Sequence, residues 1–204
     1  MTLRLNGSTS GYTEIDAPAV AGNNSIALPT GDGASGQVLT TNGSGALSFG
    51  GNIRQVVQGT LTTYFGTTSA IPLDDTIPQN TEGAEFLTAN ITPLATTSKI
   101  LVRAVVHVAN DNATYINGIA LFRNSTAGAL AAAWSRTVSA NSPVSAMVLE
   151  YLDSPSSVSA LTYKLRGGTV GGTGGQTFQV NGGSGTRYLG GALVTTLTLM
   201  EVTP

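Results

Sequence analysis

The chain has 204 residues, a formal net charge of −2, no cysteine and only 10% charged residues, against roughly 25% in an ordinary globular protein. The lack of cysteine excludes disulfides and cysteine-based metal or catalytic sites. The scattered cations form no basic stripe for nucleic acid, and no apolar run reaches the roughly 18 residues that span a bilayer. We therefore expect neither nucleic-acid binding nor membrane insertion. The first residues, Met1-Thr-Leu-Arg-Leu5, also show no apolar region of the kind found in a signal peptide.

Residues 1–50 alternate very short apolar pieces with turn-forming clusters. Each piece predicts a short strand, and the pieces are 3–5, 12–15, 25–28, 37–40 and 46–49. So few large apolar side chains cannot close a core within one copy of such a segment. We therefore expect several copies to wind together as an intertwined β-stem. The alternative is a flexible Gly/Ser-rich tail.

Residues 53–204 carry longer apolar runs at period two. The clearest run is 99–109, which places Ile100, Val102, Ala104, Val106 and Val108 on one face. Glycine, proline and asparagine clusters separate the runs at the spacing typical of an all-β sandwich or barrel. The predicted strands are 53–60, 61–65, 85–88, 99–109, 115–123, 130–138, 144–152, 159–166, 177–180 and 192–202.

The last run, 192–202, is semi-apolar on both faces. A strand at the surface of a monomeric sandwich has one polar face. The pattern therefore predicts one face in the core and the other near a subunit interface.

Catalytic patterns in the sequence have ordinary structural explanations. His107 is the single histidine, and its place in a long strand favours a structural or interface role. The Gly31–Gly36 stretch fits G-x-G-x-x-G, but a strand follows it where a dinucleotide site needs a helix. Asp74-Asp75 and 110–112 lack the spacing of a calcium loop, and no pair of acids fits a glycan hydrolase. We expect no enzymatic activity, no metal and no cofactor.

Two glycine-rich stretches, 166–177 and 181–188, are the expected exposed loops. In the second, Arg187 and Tyr188 are a candidate glycan contact, since an aromatic ring stacks on a sugar and an arginine binds its hydroxyls. The alternative is that Tyr188 opens the last strand and packs. Trp134 is expected in the core or at an interface.

The stretch 3–49 resembles a module of bacteriophage fibre and virion appendage proteins. The sequence motifs that carry the resemblance are Ser10-Gly-Tyr, Ile26-Ala-Leu-Pro-Thr-Gly31, Gly36-Gln-Val-Leu39 and Asn42-Gly-Ser-Gly-Ala-Leu-Ser-Phe49. Two further motifs are similar to the C-terminal knob of such proteins: Thr76-Ile-Pro-Gln-Asn-Thr-Glu-Gly-Ala-Glu-Phe-Leu87 and Asn90-Ile-Thr-Pro93.

The resemblance implies a homotrimer with an N-terminal β-stem over 1–50, which attaches to the particle, and an antiparallel jelly-roll knob over 53–204, similar to tumour necrosis factor-like trimers. Candidate particle-anchoring residues in the stem are Leu3, Leu5, Tyr12 and Ile15. The module begins at Leu3 with no tail-attachment domain before it, which favours a capsid-bound head fibre or decoration protein on the virion exterior. A short tail fibre that adsorbs to a host surface glycan is the second hypothesis, and a glycan hydrolase the third.

Overall fold

The computed structural model describes residues 3–16, 18–20, 22–33, 37–110, 116–136, 144–171 and 176–202. Apart from one short 3₁₀ turn, Leu189–Gly191, every regular element in these ranges is a β-strand. The predicted all-β class is confirmed. The chain divides into two compact units, Met1–Gly51 and Asn52–Pro204.

The first unit is built from two antiparallel hairpins. Strands β1 (Leu3–Asn6) and β2 (Tyr12–Ile15) form one, and β3 (Val38–Thr41) and β4 (Leu47–Gly50) form the other. The strand predicted over 25–28 is reduced to a single parallel bridge between Ala27 and Ala46. The prediction was too long because Pro29 follows at once and cannot donate to a ladder.

Gly33 shows how closely the chain of this unit folds back on itself. Its φ of 72° is left-handed, and a Cβ placed there would lie 2.6 Å from Cγ of Phe49. The backbone therefore lies against the aromatic ring, an approach that only glycine allows.

The second unit consists of two main sheets and a small hairpin. Its strands are β5 (Ile53–Leu61), β6 (Phe65–Thr67), β7 (Ala70–Ile71), β8 (Ala84–Ile91), β9 (Lys99–Asn110), β10 (Ile116–Arg123), β11 (Ala131–Arg136), β12 (Ser145–Asp153), β13 (Leu161–Val170), β14 (Phe178–Val180), β15 (Gly182–Gly183), β16 (Thr186–Arg187) and β17 (Thr195–Val202).

One sheet has the order β5-β17-β9-β14-β6, with β12 also paired to β9, and the other has β11-β10-β13-β7, with β8 also paired to β13. All of these pairings are antiparallel except β7 with β13. Together with the core between them, the two sheets make a β-sandwich.

Several strand limits differ from the sequence prediction, among them that of β8, which continues to Ile91 beyond the predicted 85–88. The segment 61–65 is the end of β5, a turn and the first residue of β6, and β13 continues to Val170. The last strand begins at Thr195 and not at 192, because Ala192 closes the 3₁₀ turn Leu189–Gly191 in a helical backbone conformation. Parts of the predictions over 115–123 and 130–138 lie outside the described residues.

The core lies between the two sheets. All five residues of the apolar face predicted for 99–109 are fully buried, and they pack with Leu197 and Leu199 of β17 and with Leu121 and Leu165 of the facing sheet. Burying each such side chain contributes about 1.5–3 kcal/mol. This continuous apolar layer fixes the register of β9, because a slip by one residue would bring Arg103 into it.

A buried carboxylate, Glu201, ties a loop to the edge of this core. It accepts hydrogen bonds from Gln55 Nε2 at 2.6 Å and from the backbone N–H of Leu94 at 2.8 Å. Burial opposes ionisation, but the hydrogen bonds outweigh it, so the pKa of Glu201 lies below its ordinary value. The group therefore carries its charge at neutral pH.

A second buried carboxylate, Asp153, joins the two sheets. Its Oδ2 accepts from Arg123 Nη1 at 2.5 Å and from the Tyr163 hydroxyl at 2.6 Å. Burial and the bond to Asp153 raise the pKa of Tyr163, so its hydroxyl stays protonated and remains a donor. Strands β10, β12 and β13 are thus linked through a single carboxylate oxygen.

Candidate functional site

Three of the four candidate anchoring residues share one face of the first hairpin. The register pairs Leu3 with Ile15 and Leu5 with Thr13, and side chains at opposed positions lie on the same face. Leu3, Leu5 and Ile15 are 58%, 55% and 63% exposed. They form an apolar strip, here called the hairpin strip, that this copy of the chain leaves open to solvent.

The fourth candidate, Tyr12, lies on the opposite face of the hairpin. There the guanidinium carbon of Arg4 stands 4.0 Å from the centre of the Tyr12 ring, and Arg4 Nε donates to Glu14 Oε1 at 2.7 Å. This face is a cation–π contact joined to an ion pair. The sequence grouped Tyr12 with the other three, but the alternation of the strands separates it from them.

Exposed apolar side chains are unusually concentrated in the first unit. Of the twenty large hydrophobic residues that are exposed in the described part of the chain, ten lie in this quarter of it. None of its described residues is buried. So much exposed apolar surface is unusual for a small unit, because large apolar patches on soluble proteins mark interaction sites.

The outer face of the larger sheet in the second unit is also partly apolar. Strands β12, β9, β17 and β5 lie side by side here, and their registers align the outward residues in rows across the sheet. One row is wholly apolar and consists of Leu152, Leu101, Met200 and Val56. We call this set the apolar row. Val56 is 57% exposed and Leu152 48% exposed.

The next row of the same face carries two charges and two neutral polar groups. Glu150 lies opposite Arg103, and Gln58 Nε2 donates to Thr198 Oγ1 at 2.8 Å. No ion pair joins Arg103 or Glu150 to another charged group within the described residues. Beyond this row lie Val148 and Val105, so apolar groups flank the charges on both sides.

The candidate glycan contact lies on the small hairpin β15–β16 and just after it. Arg187 is exposed and Tyr188 half-buried. The guanidinium rests close to Gly191, where a Cβ would lie 2.9 Å from Arg187 Nη1. Tyr188 does not open the last strand: it precedes the 3₁₀ turn, and its N–H donates to the Asn181 carbonyl at 3.0 Å.

Trp134 is not a core residue. It lies on strand β11 and is 64% exposed. The small neighbours Ala131 and Ala133 face the core in its place. Trp134 faces outward because the strand alternates, and the alanine-rich sequence gave no apolar pattern strong enough to show which face is inward.

The remaining candidates from the sequence are Asp74-Asp75, His107 and the segment 110–112. Asp74 accepts from the backbone N–H and the hydroxyl of Thr76, hydrogen bonds that lower its pKa and close an ordinary Asx turn. His107 is half-buried on the outer face of β9. Among the described residues no group of three or more acids and histidines could hold a metal ion; residues 111 and 112 of the 110–112 candidate lie outside them.

Comparisons with known proteins give little further information. No protein-family model matches the chain, and no curated protein is similar to it. Among solved structures, the crystal structure of the infectious bursal disease virus VP2 subviral particle aligns with 78% of this chain and 40% of that chain, at 15% identity and a TM-score of 0.29. The chain thus spans less than half of that neighbour, and a score of this size does not establish a shared fold. No helix in the described residues is long and apolar enough to cross a membrane.

Proposed function

We propose that this protein is a non-enzymatic structural component of a phage virion, a homotrimer on the particle exterior whose first unit attaches to the particle and whose second unit projects from it. The observation that carries the proposal is the concentration of exposed apolar side chains in Met1–Gly51. A capsid-bound head fibre or decoration protein is the form we favour.

The first unit supports assembly because none of the residues described in it is buried. Its hairpin strip and the exposed Val38, Leu39 and Phe49 need apolar partners. In a stem shared by several copies, each copy can cover these side chains of its neighbour with the equivalent side chains of its own. The particle can cover those that the stem leaves free, and the hairpin strip is the surface we assign to that attachment.

The second unit supports assembly through the outer face of its larger sheet. Three copies packed around a common axis would bury the apolar row. Arg103 and Glu150 have opposite charges and no partner charge within the described part of one copy, so each can pair with its counterpart on a neighbour. The polar row would then set the register between copies, as polar groups do at other oligomer interfaces.

The number of copies comes from the resemblance of 3–49 and 76–93 to phage fibre and appendage proteins, and so does the virion setting. Light scattering on the purified full chain tests it directly. We expect three times the chain mass of 20.6 kDa. A monomer at micromolar concentration would contradict the assembly argument for both units.

A short tail fibre is the second candidate, favoured by the exposed Arg187 beside the half-buried Tyr188. In that role the second unit binds a host surface glycan. Binding of the full chain to host polysaccharide should then fall in Tyr188→Ala, while the same change at Tyr12 leaves it unaltered. Release of reducing sugar during the assay would instead indicate a hydrolase and contradict a non-enzymatic role.

A further inference from the structure

A polar cleft of about 260 Å³ lies on the outer side of the smaller sheet of the second unit. Its lining comes from strands β8, β10 and β13 and from the segments that precede β8 and follow β10. The buried Phe122 forms its base. The polar residues around it are Asn80, Glu85, Asn124, Ser125, Lys164 and Arg166.

Charge is concentrated here in a chain that has little of it. Lys164 Nζ lies 3.5 Å from Glu85 Oε2, and Arg166 Nη1 lies 4.0 Å from the same oxygen. The chain has only nine cationic side chains in all. Two of them, with one carboxylate, give the cleft a net charge of +1 and place both donors and acceptors at its wall.

Several of these side chains are held in place by bonds that leave other polar atoms available. Arg166 donates through Nε to the Glu82 carbonyl and through Nη2 to the Gly83 carbonyl, both at 2.8 Å. Asn80 Nδ2 donates to the Thr126 carbonyl at 3.0 Å. These bonds fix Arg166 Nη1 and Asn80 Oδ1 in position, as donor and acceptor.

The turn after β10 contributes in the same way. Asn124 has a left-handed φ of 54°, and its Oδ1 accepts from the backbone N–H of Thr162 at 2.8 Å. Within the described residues, Asn124 Nδ2 and the Ser125 hydroxyl have no hydrogen-bond partner. The wall of the cleft therefore offers a further amide donor and a hydroxyl that can both donate and accept.

We infer that this cleft is a saccharide-binding site that takes one neutral pyranose ring through its neighbouring hydroxyl groups. Each sugar hydroxyl donates and accepts, which matches the interleaved donors and acceptors of the wall. A small anion would meet the Glu85 carboxylate and would leave Asn80 Oδ1 unused. The volume is just below the roughly 300–1,000 Å³ of small-molecule sites, which suits the terminal ring of a longer glycan.

This inference deepens the proposed contact of the second unit with host glycans and rests on that part of the proposed function. It is independent of the trimer and of the place of attachment. The cleft shares no residue with the other candidate glycan contact, Arg187 and Tyr188, so substitutions can distinguish the two sites.

The test is a titration of the isotope-labelled full chain with methyl glycosides of glucose, galactose, mannose, rhamnose and N-acetylglucosamine, followed by amide NMR shifts. We expect at least one glycoside to shift the side-chain amides of Asn80 and Asn124. Lys164→Gln and Ser125→Ala should each weaken that binding by about tenfold, the loss expected for one hydrogen bond to a ligand. Lys99→Gln, at the other lysine, is the matched control and should bind as the parent does.

The opposing results are equally specific. No shift with any glycoside up to tens of millimolar overturns the site. Shifts confined to the neighbourhood of Tyr188 overturn the cleft but keep the glycan contact of the second unit. Binding that Lys164→Gln and Ser125→Ala leave unchanged, in variants whose unfolding temperature is also unchanged, overturns the assignment of residues. The mass of the assembly is measured separately, so failure here leaves the trimer proposal standing.

Discussion

In the second unit, individual buried carboxylates accept hydrogen bonds that hold neighbouring segments together. Glu201 is fully buried and accepts from Gln55 and Leu94. Removing its charge leaves both donors without a charged acceptor in a region closed to water. Few charges are present in this chain, but those that are buried have defined partners.

We predict that Glu201→Gln lowers the free energy of unfolding by about 1–3 kcal/mol at pH 7. The folded-state pKa of Glu201 is depressed, so its stabilisation is fully present above the unfolded pKa of about 4.3. That stabilisation is lost as the pH falls through the lower pKa of the folded protein. Urea unfolding at pH 7 and pH 3 should show the difference between parent and variant shrinking at the lower pH. A difference that is equal at both pH values would contradict this role.

Asp153 provides the second residue-scale prediction. Asp153→Ala leaves the Arg123 guanidinium and the Tyr163 hydroxyl without their acceptor, and we expect a loss of about 3–5 kcal/mol in unfolding free energy. Tyr163→Phe removes only one donor and should cost about 1 kcal/mol. Equal losses in the two variants would show that the ion pair with Arg123 contributes little.

At the scale of elements, the sequence predicts strands best where one face meets the core. The apolar face of β9 was read correctly because five alternating aliphatic residues have one structural explanation. The outward face of β17 was expected at an interface, and the structure adds the apolar neighbours on β5, β9 and β12 that complete the row. Cross-strand register was not predictable, because it depends on pairings between residues far apart in the sequence.

The candidate sites were less predictable than the strands. Tyr12 and Ile15 are three residues apart in one strand, so alternation puts them on opposite faces, but only the hairpin register shows that Ile15 is the one that shares a face with Leu3 and Leu5. The polar cleft was missed, because its residues come from three separate parts of the chain and no local motif marks them. For Trp134 the core half of the expectation is wrong, because a lone aromatic in an alanine-rich strand shows no periodicity that would mark the inward face, and the interface half stays a prediction.

The outer face of the larger sheet provides an element-scale prediction. Val56→Glu places a carboxylate in the apolar row, where a trimer would bury it without a partner at a cost of several kcal/mol. We expect light scattering to show dissociation. The matched control is Val158→Glu, at a valine that is 52% exposed and lies outside the strands. Because the proposed stem can hold the copies of the full chain together, the comparison is made on residues 52–204, and a Val56→Glu variant of this fragment that keeps the mass of its parent shows that this face is not an interface.

The hairpin strip provides a second prediction at the scale of elements. Leu5→Ser combined with Ile15→Ser removes two large apolar side chains from one face, about 3 kcal/mol or more of burial. Attachment to particles should fall more than a hundredfold, as measured by co-sedimentation. Tyr12→Ser alters only the opposite face and should attach normally. Equal losses would mean that both faces of the hairpin contact the particle.

At the scale of the whole molecule, the scarcity of charge and the two compact units have a common explanation. The described residues of the first unit include no buried one, and the second unit keeps an apolar row on its surface. In the assembly that we propose, these surfaces meet between copies and are poor in charge, since an unpaired buried charge is costly. Removing Met1–Gly51 should leave a folded second unit, because the core lies entirely within Asn52–Pro204. Its thermal unfolding should stay cooperative while particle attachment is lost, and a truncated protein that still binds particles would place the anchor in the second unit.

The central claim is that this chain is an exterior virion component, and its location on the particle tests that claim most directly. Intact phage particles that carry the chain would be labelled with an antibody raised against residues 52–204 and imaged by electron microscopy. We predict label on the outer surface of the capsid. Label on the tail alone would contradict a head fibre and favour the tail-fibre alternative, and intact particles that carry no label would contradict the account as a whole.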